Sequence, residues 1–277
     1  MSQRTKKTEK NNGIKVVQVS DSHLFARRDG KLLGLNTDSS LQRVLDLIKT
    51  EQPDLDIVLA TGDISQDGSE DSYHRFESLI STLQRPSYWL QGNHDNEAGI
   101  LQVLVGNERL SPCVISAGIH WRIILLNSSV KDQVGGHLAD SELAFLLTAL
   151  ETHHDKHVIV ALHHQPVKMG SAWLDEQMVS NAEQFFALMQ PYKQVKALLW
   201  GHVHQVMDRY HADFDSLRLL SVPSTCVQFK PEQKDFTADQ LPPGYRWLEL
   251  FADGSFSTGV SRVEGVRFDI DYSIKGY

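Results

Sequence analysis

Five apolar runs in this chain end in a turn that carries Asp, Asn or His. Ile14-Lys15-Val16-Val17-Gln18-Val19-Ser20 runs into Asp21-Ser22-His23, and Ile57-Val58-Leu59-Ala60 into Thr61-Gly62-Asp63. Pro86-Ser87-Tyr88-Trp89-Leu90 leads to Gln91-Gly92-Asn93-His94-Asp95. Val158-Ile159-Val160-Ala161-Leu162 ends in His163-His164-Gln165-Pro166, and Val195-Lys196-Ala197-Leu198-Leu199-Trp200 in Gly201-His202-Val203-His204. Short runs of this composition read as strands, and the continuously apolar ones as strands covered on both faces. Helix-period segments separate them. Leu41, Val44, Leu45, Leu47 and Ile48 form one stripe behind a cap at Thr37 or Asp38, and further helices are predicted over about 70–83 and 97–104. Three strand–polar-turn–helix units in succession predict an α/β chain whose functional groups gather at one edge of a sheet.

Local chemistry at these turns is specific. Gly92 permits a sharp change of direction at a strand exit. Asp21 and His23, two residues apart at the end of a strand, are expected to project to the same side. The loop 24–36, with Gly30 and Gly34, is expected to line the mouth of the site. Further along, 120–127 reads as a strand, 141–152 and 182–189 as helices, 135–137 as a turn, and 205–277 as strand-like with turns at Pro242-Pro243-Gly244 and Asp253-Gly254.

The 277 residues, 41% hydrophobic and 22% charged, have ordinary globular composition and enough length for a sizeable core. A formal charge of −8 with no basic stripe argues against nucleic acid as a partner. Residues 1–13 are polar, with Arg4, Lys6, Lys7 and Lys10, and are expected to be a mobile tail; 14–277 reads as a single domain. No apolar stretch suggests a secretory signal or a membrane span. Cys113 and Cys226 have neither disulfide-framework nor metal-type spacing and are expected in or near the core. A cytoplasmic setting is the expectation.

A lone histidine at a strand end is ordinarily a satisfied surface or core residue. Here Asp21, His23, Asp63, Asn93, His94, His163, His202 and His204 occupy five strand ends at once. Imidazoles mixed with oxygen donors suit manganese, iron, zinc or cobalt rather than calcium or a thiolate metal. Even with His94 set aside, the seven remaining donors exceed what one tetrahedral ion with an open position takes, and fit two ions sharing a carboxylate.

In order, the blocks D-x-H, G-D, G-N-H-D, H and G-H-x-H resemble the calcineurin-like metallophosphoesterase superfamily, and all are intact between Asp21 and His204. A closer resemblance, to the bacterial class III 3',5'-cyclic AMP phosphodiesterases, is carried by Asp21–Phe25, Ala60–Asp63, Ser171–Asp175 and Pro223–Pro231. It implies an α/β, four-layer fold: two packed mixed β-sheets forming a sandwich flanked by helices, with the metal site at the strand ends. It also implies two divalent ions, iron and/or manganese foremost, with zinc or cobalt as alternatives. Metal 1 would be held by Asp21, His23, Asp63 and His204, and metal 2 by Asp63, Asn93, His163 and His202. The phosphate of AMP would contact His23, Asp63, Asn93, His94, His163 and His204. The implied reaction is hydrolysis of 3',5'-cyclic AMP to 5'-AMP by a metal-activated hydroxide, with Asp63 and His94 catalytic. In that chemistry two cations neutralise the phosphodiester and acidify water, and an imidazole that binds no metal can protonate the leaving oxygen.

Some superfamily members place an acid three residues after the bridging Asp. Gln66 stands there in this chain and Asp67 follows, so either Asp67 or Asp95 is the carboxylate expected to orient His94. His164, beside His163, is expected to play a supporting rather than a ligating part, and His137 a turn role. His74, His120, His153, His154, His157 and His211 are expected to be exposed. Trp173 reads equally as a purine platform or a loop anchor, and Phe25 and Phe229 lean towards the core. Rival readings are a less selective phosphodiesterase or phosphomonoesterase on the same fold, and a non-catalytic interaction module.

Overall fold

The computed structural model describes residues 13–104 and 107–276; the expected tail, up to residue 12, lies outside the described residues. The first half of the chain runs β1 (Ile14–Val19), α1 (Thr37–Glu51), β2 (Ile57–Thr61), α2 (Glu70–Ile80), β3 (Ser87–Leu90), α3 (Glu97–Val103). It continues through β4 (Cys113–Ala117), β5 (Trp121–Leu125), α4 (Asp140–Thr152), β6 (His157–Leu162), a single turn α5 (Ala172–Asp175), α6 (Ala182–Met189) and β7 (Val195–Trp200). The remainder is β8 (Asp208–Tyr210), β9 (Arg218–Ser221), β10 (Gly244–Leu250) and β11 (Phe256–Arg262).

These strands form two mixed sheets, ordered β11–β10–β1–β2–β3 and β8–β9–β7–β6–β5–β4. In the first, β1, β2 and β3 pair in parallel; in the second, β5, β6, β7 and β9 do. Antiparallel partners occupy the edges. Parallel pairing sends the C-terminal ends of β1, β2, β3, β6 and β7 towards one side of each sheet, where the five polar turns begin.

Alternation along each strand sorts the core into three layers. Val16, Leu59 and Leu248 of the first sheet meet Ile115, Ile123, Ile159 and Leu199 of the second. On the outer face of the first sheet Val17, Val58 and Trp89 pack beneath Leu41 and Leu45 of α1 and Phe76 of α2. On the outer face of the second, Ile124, Val160 and Leu198 pack beneath Leu146 and Leu150 of α4 and Phe185 of α6. The result is the four-layer sandwich expected. Both cysteines are buried free thiols. No helix among the described residues is long and apolar enough to cross a membrane.

Several local expectations shift. α1 is capped by Asn36, whose Oδ1 accepts from Ser39 N at 2.8 Å, rather than by Thr37 or Asp38, which lie inside the helix. His153, His157 and His211 are half-buried, unlike His74, His120 and His154. The rings of His157 and His211 lie 5.2 Å from Trp121 and 4.5 Å from Phe186. An aromatic neighbour from a distant segment covers each, which a polar context in sequence does not reveal.

Candidate metal centre

β1 ends at Val19, so strand alternation does not bring Asp21 and His23 together. Both lie beyond it with left-handed backbone, at φ 55° and 47°, as do Asp63 at 47°, His202 at 62° and His204 at 46°. Such conformations cost non-glycine residues of order 1–3 kcal/mol each and concentrate at functional sites. Backbone hydrogen bonds between the turns hold them: Asp21 N to Gly62 O at 3.0 Å and His23 N to Asp63 O at 2.9 Å. Each turn therefore fixes its neighbour.

Glycines at the strand exits make room for this. A Cβ on Gly92 would collide with the Asp63 carboxylate and amide, and Gly92 does not have positive φ. Close approach, more than a sharp turn, requires glycine there. Gly62, at φ 92°, meets both demands, because its missing Cβ is replaced by the His163 ring.

Asp21, His23, Asp63, His163, His202 and His204 are all buried, and they fall into overlapping clusters. One joins Asp21, His23 and His204; another joins Asp21, Asp63 and His163. His163 Nε2 is 3.3 Å from Asn93 Oδ1 and 3.3 Å from Asp63 Oδ2, which is itself 4.0 Å from His23 Nε2. Asp21 is common to both clusters, and Asp63 Oδ2 lies between His163 and His23.

Each ring has one nitrogen committed to a neutral oxygen. His23 Nδ1 faces Gln66 Oε1 at 2.6 Å, His163 Nδ1 faces Thr61 O at 2.8 Å, and His204 Nδ1 faces Val227 O at 2.6 Å. His202 is turned round, with Nε2 against Gln177 Oε1 at 2.9 Å. A carbonyl oxygen only accepts, so the facing nitrogen carries the proton and the other keeps its lone pair in the neutral ring. His23 Nε2 and His204 Nε2, both left as acceptors, lie 3.2 Å apart. His202 Nδ1 and Asp63 Oδ2 are buried without a hydrogen-bond partner among the described residues.

This inventory fits a cation. Two buried carboxylates and several inward lone pairs are costly unless positive charge sits among them. Protonation follows the same logic. Burial opposes charge on His163, but Asp63 and Asp21 push it up to about 9. Burial drives His23 down to about 3. Burial alone would raise Asp63, yet the surrounding histidines hold it well below the usual carboxylate range.

Asn93 and His94 are half-buried, at the opening. His94 N donates to Asp63 Oδ1 at 2.9 Å, and its ring lies edge-on to His23 at 5.2 Å. A cleft of about 530 Å³ begins beside Asn93, lined by 91–93, 95–98 and 129–132. Asp95, one of the carboxylates considered for orienting His94, accepts from Gly92 N, Ile64 N, Ser65 N and Tyr73 Oη. Asp67 accepts from Ala26 N and Ser69 Oγ. Both carboxylates brace turns of the site.

Gln66, a departure in sequence, supports His23, and Gln177, which carried no sequence signal, supports His202. His164 is fixed at both nitrogens, by Ser128 Oγ at 2.9 Å and Val134 O at 3.0 Å. His137 Nδ1 meets Ser180 Oγ. Trp173 packs edge-on against Phe229 and Phe236, and Phe25 is half-buried against the core.

The sequence model of the calcineurin-like phosphoesterase family matches residues 14–206. A 3',5'-cyclic adenosine monophosphate phosphodiesterase from Pseudomonas aeruginosa is 46% identical over 264 residues, covering 95% of this chain and 95% of that protein. One of the same description from Escherichia coli K12 is 39% identical over 265 residues, with 95% of each chain covered. Among solved structures, a dimetal phosphatase from Danio rerio superposes with a TM-score of 0.64 over 91% of this chain and 100% of that one. At 12% identity that likeness concerns the fold alone.

Proposed function

The chain belongs to the calcineurin-like phosphoesterase family, and from that premise we propose that it hydrolyses 3',5'-cyclic AMP to 5'-AMP at a dinuclear metal centre. The observation that carries the reading is the pair of imidazole acceptors, His23 Nε2 and His204 Nε2, aimed at one point 3.2 Å apart. Asp21, His23, Asp63 and His204 would hold the first ion; Asp63, Asn93, His163 and His202 the second. Iron or manganese suits these donors, and zinc or cobalt also fits them. When bound there, the ions would supply charge neutralisation for the phosphodiester and a water acidic near neutral pH.

The chain's own residues do the rest. Asp63 sets the spacing of the two donor groups, since its Oδ1 is fixed by His94 N and its Oδ2 stays available. Asn93 and His94, at the opening, are placed to meet phosphate oxygens, as are His23, His163 and His204 from within. His94 donates a proton to the departing 3' oxygen, which as an alkoxide is a poor leaving group. The cleft beside Asn93 accommodates the nucleoside. The substrate is thus a small cyclic nucleotide in the cytoplasm, without nucleic acid or membrane as partner.

Close identity along nearly the whole chain to proteins described as cyclic AMP phosphodiesterases supports the substrate class. Metal content and turnover on cyclic AMP, cyclic GMP and an aryl phosphomonoester, measured on one sample, test it. Turnover of the monoester above that of cyclic AMP would replace this reading by that of a general phosphatase.

A further inference from the structure

Phe229 lies flat on His204: their ring centroids are 3.9 Å apart and the planes differ by 7°. The other face of the relationship is backbone. Phe229 N donates to His204 O at 3.3 Å, and Val227 O, two residues earlier, takes the proton of His204 Nδ1 at 2.6 Å. The same segment holds the opposite side of the cluster, with Ser224 Oγ donating to Asp21 O at 2.8 Å and Thr225 N to Ser20 O at 3.0 Å. The phenyl ring is buried and is itself braced edge-on by Trp173 and Phe236 at 5.2 Å each.

We infer that Phe229 is a positioning residue for the first ion, acting through His204 with the segment 224–229 as its frame. The inference rests on the dinuclear reading above. An imidazole bound to a divalent cation loses electron density, and the electron-rich face of a phenyl ring stabilises the partial positive charge that results. The stack therefore strengthens when the ion is held, while the Val227 hydrogen bond fixes the ring's rotation. Partners of this outer kind are typically worth about 10–100-fold in metal affinity. The second ion's donors His163 and His202 have their rings fixed elsewhere, by Thr61 O and Gln177 Oε1.

The test is a cobalt(II) titration of the metal-free full chain, followed by visible absorption and competition with a chelator. Asp21→Ala identifies the first ion's step, as the one that variant loses; if it loses neither step, the dinuclear reading fails and not the inference. Phe229→Leu is expected to weaken that step at least tenfold and to alter its absorption, with the second step within twofold of the parent. Trp173→Phe, which changes the packing behind Phe229 without touching His204, is expected to leave both steps unchanged. Should Phe229→Leu not fold, Phe229→Met, ringless but flexible enough to fill an irregular gap, is read in the same way. Unchanged binding of the first ion in the ringless variant, or equal weakening of both, overturns the inference.

Discussion

His23 Nε2 and His204 Nε2 stand 3.2 Å apart, each on a ring whose other nitrogen faces a neutral carbonyl oxygen. Two acceptors at that separation repel unless a proton or a cation lies between them. Left-handed turns, close-approach glycines and buried carboxylates all serve to maintain this arrangement, and the expectations below follow from it.

The Gln66 amide is a neutral support for His23. Gln66→Leu removes the acceptor and is expected to weaken the first ion about 10–100-fold. Gln66→Glu keeps an acceptor and adds charge, which raises imidazole basicity, so that variant should bind the ion more tightly than the parent. Chelator competition on the metal-free proteins reads both. Weakening of similar size in the two variants would mean that Gln66 merely fills space.

His94 tests how the leaving oxygen is handled. General acid catalysis contributes about 10²–10⁴-fold. His94→Ala should slow cyclic AMP hydrolysis by that order, and should slow bis(nitrophenyl) phosphate much less, since nitrophenolate departs without a proton. Both ions should remain bound. Equal losses on the two substrates would assign His94 to charge stabilisation instead.

Acid should remove the metal. In the metal-free protein Asp63 and Asp21 raise His163 to about 9, so it holds a proton at neutral pH that an incoming ion must displace. Because the pKa is raised, competition is absent above it and grows by about tenfold per pH unit below it. His23, driven by burial to about 3, contributes little such competition. Apparent affinity of the second ion should therefore fall from pH 9 to 6, and activity lost in mild acid should return with metal at neutral pH. A pH-independent affinity over that range would contradict this.

Arg246 links the two sheets. Its buried guanidinium donates to Ser221 O at 2.9 Å, Met207 O at 3.0 Å and Thr258 Oγ1 at 3.1 Å. Arg246→Met strands those acceptors and should cost about 2–4 kcal/mol of stability. A lower urea midpoint with unchanged slope is the expected signature.

Much of this was legible in the sequence because the relevant signals are local. Ile57–Ala60 announces a doubly covered strand by composition alone, and the polar turns follow their strands directly. The cap is Asn36, just before the two expected positions Thr37 and Asp38, since Asn, Thr and Asp in succession can all cap. What the sequence did not reveal depends on distant partners. Gln66, Gln177 and Phe229 gain their importance from His23, His202 and His204, which lie 43, 25 and 25 residues away. The positive φ values of Asp21 and His23 arise from bonds to Gly62 and Asp63, so strand alternation gave the right meeting point by the wrong route.

The most direct measurement is a manganese titration of metal-free protein with cyclic AMP turnover followed at each addition, beside Asp63→Ala. With Asp63 placed between both donor groups, turnover should stay near zero through the first equivalent and rise with the second. Asp63→Ala should bind both ions weakly and stay inactive at saturating metal. Full turnover at one equivalent, or two ions tightly held in Asp63→Ala, would contradict a shared dinuclear centre.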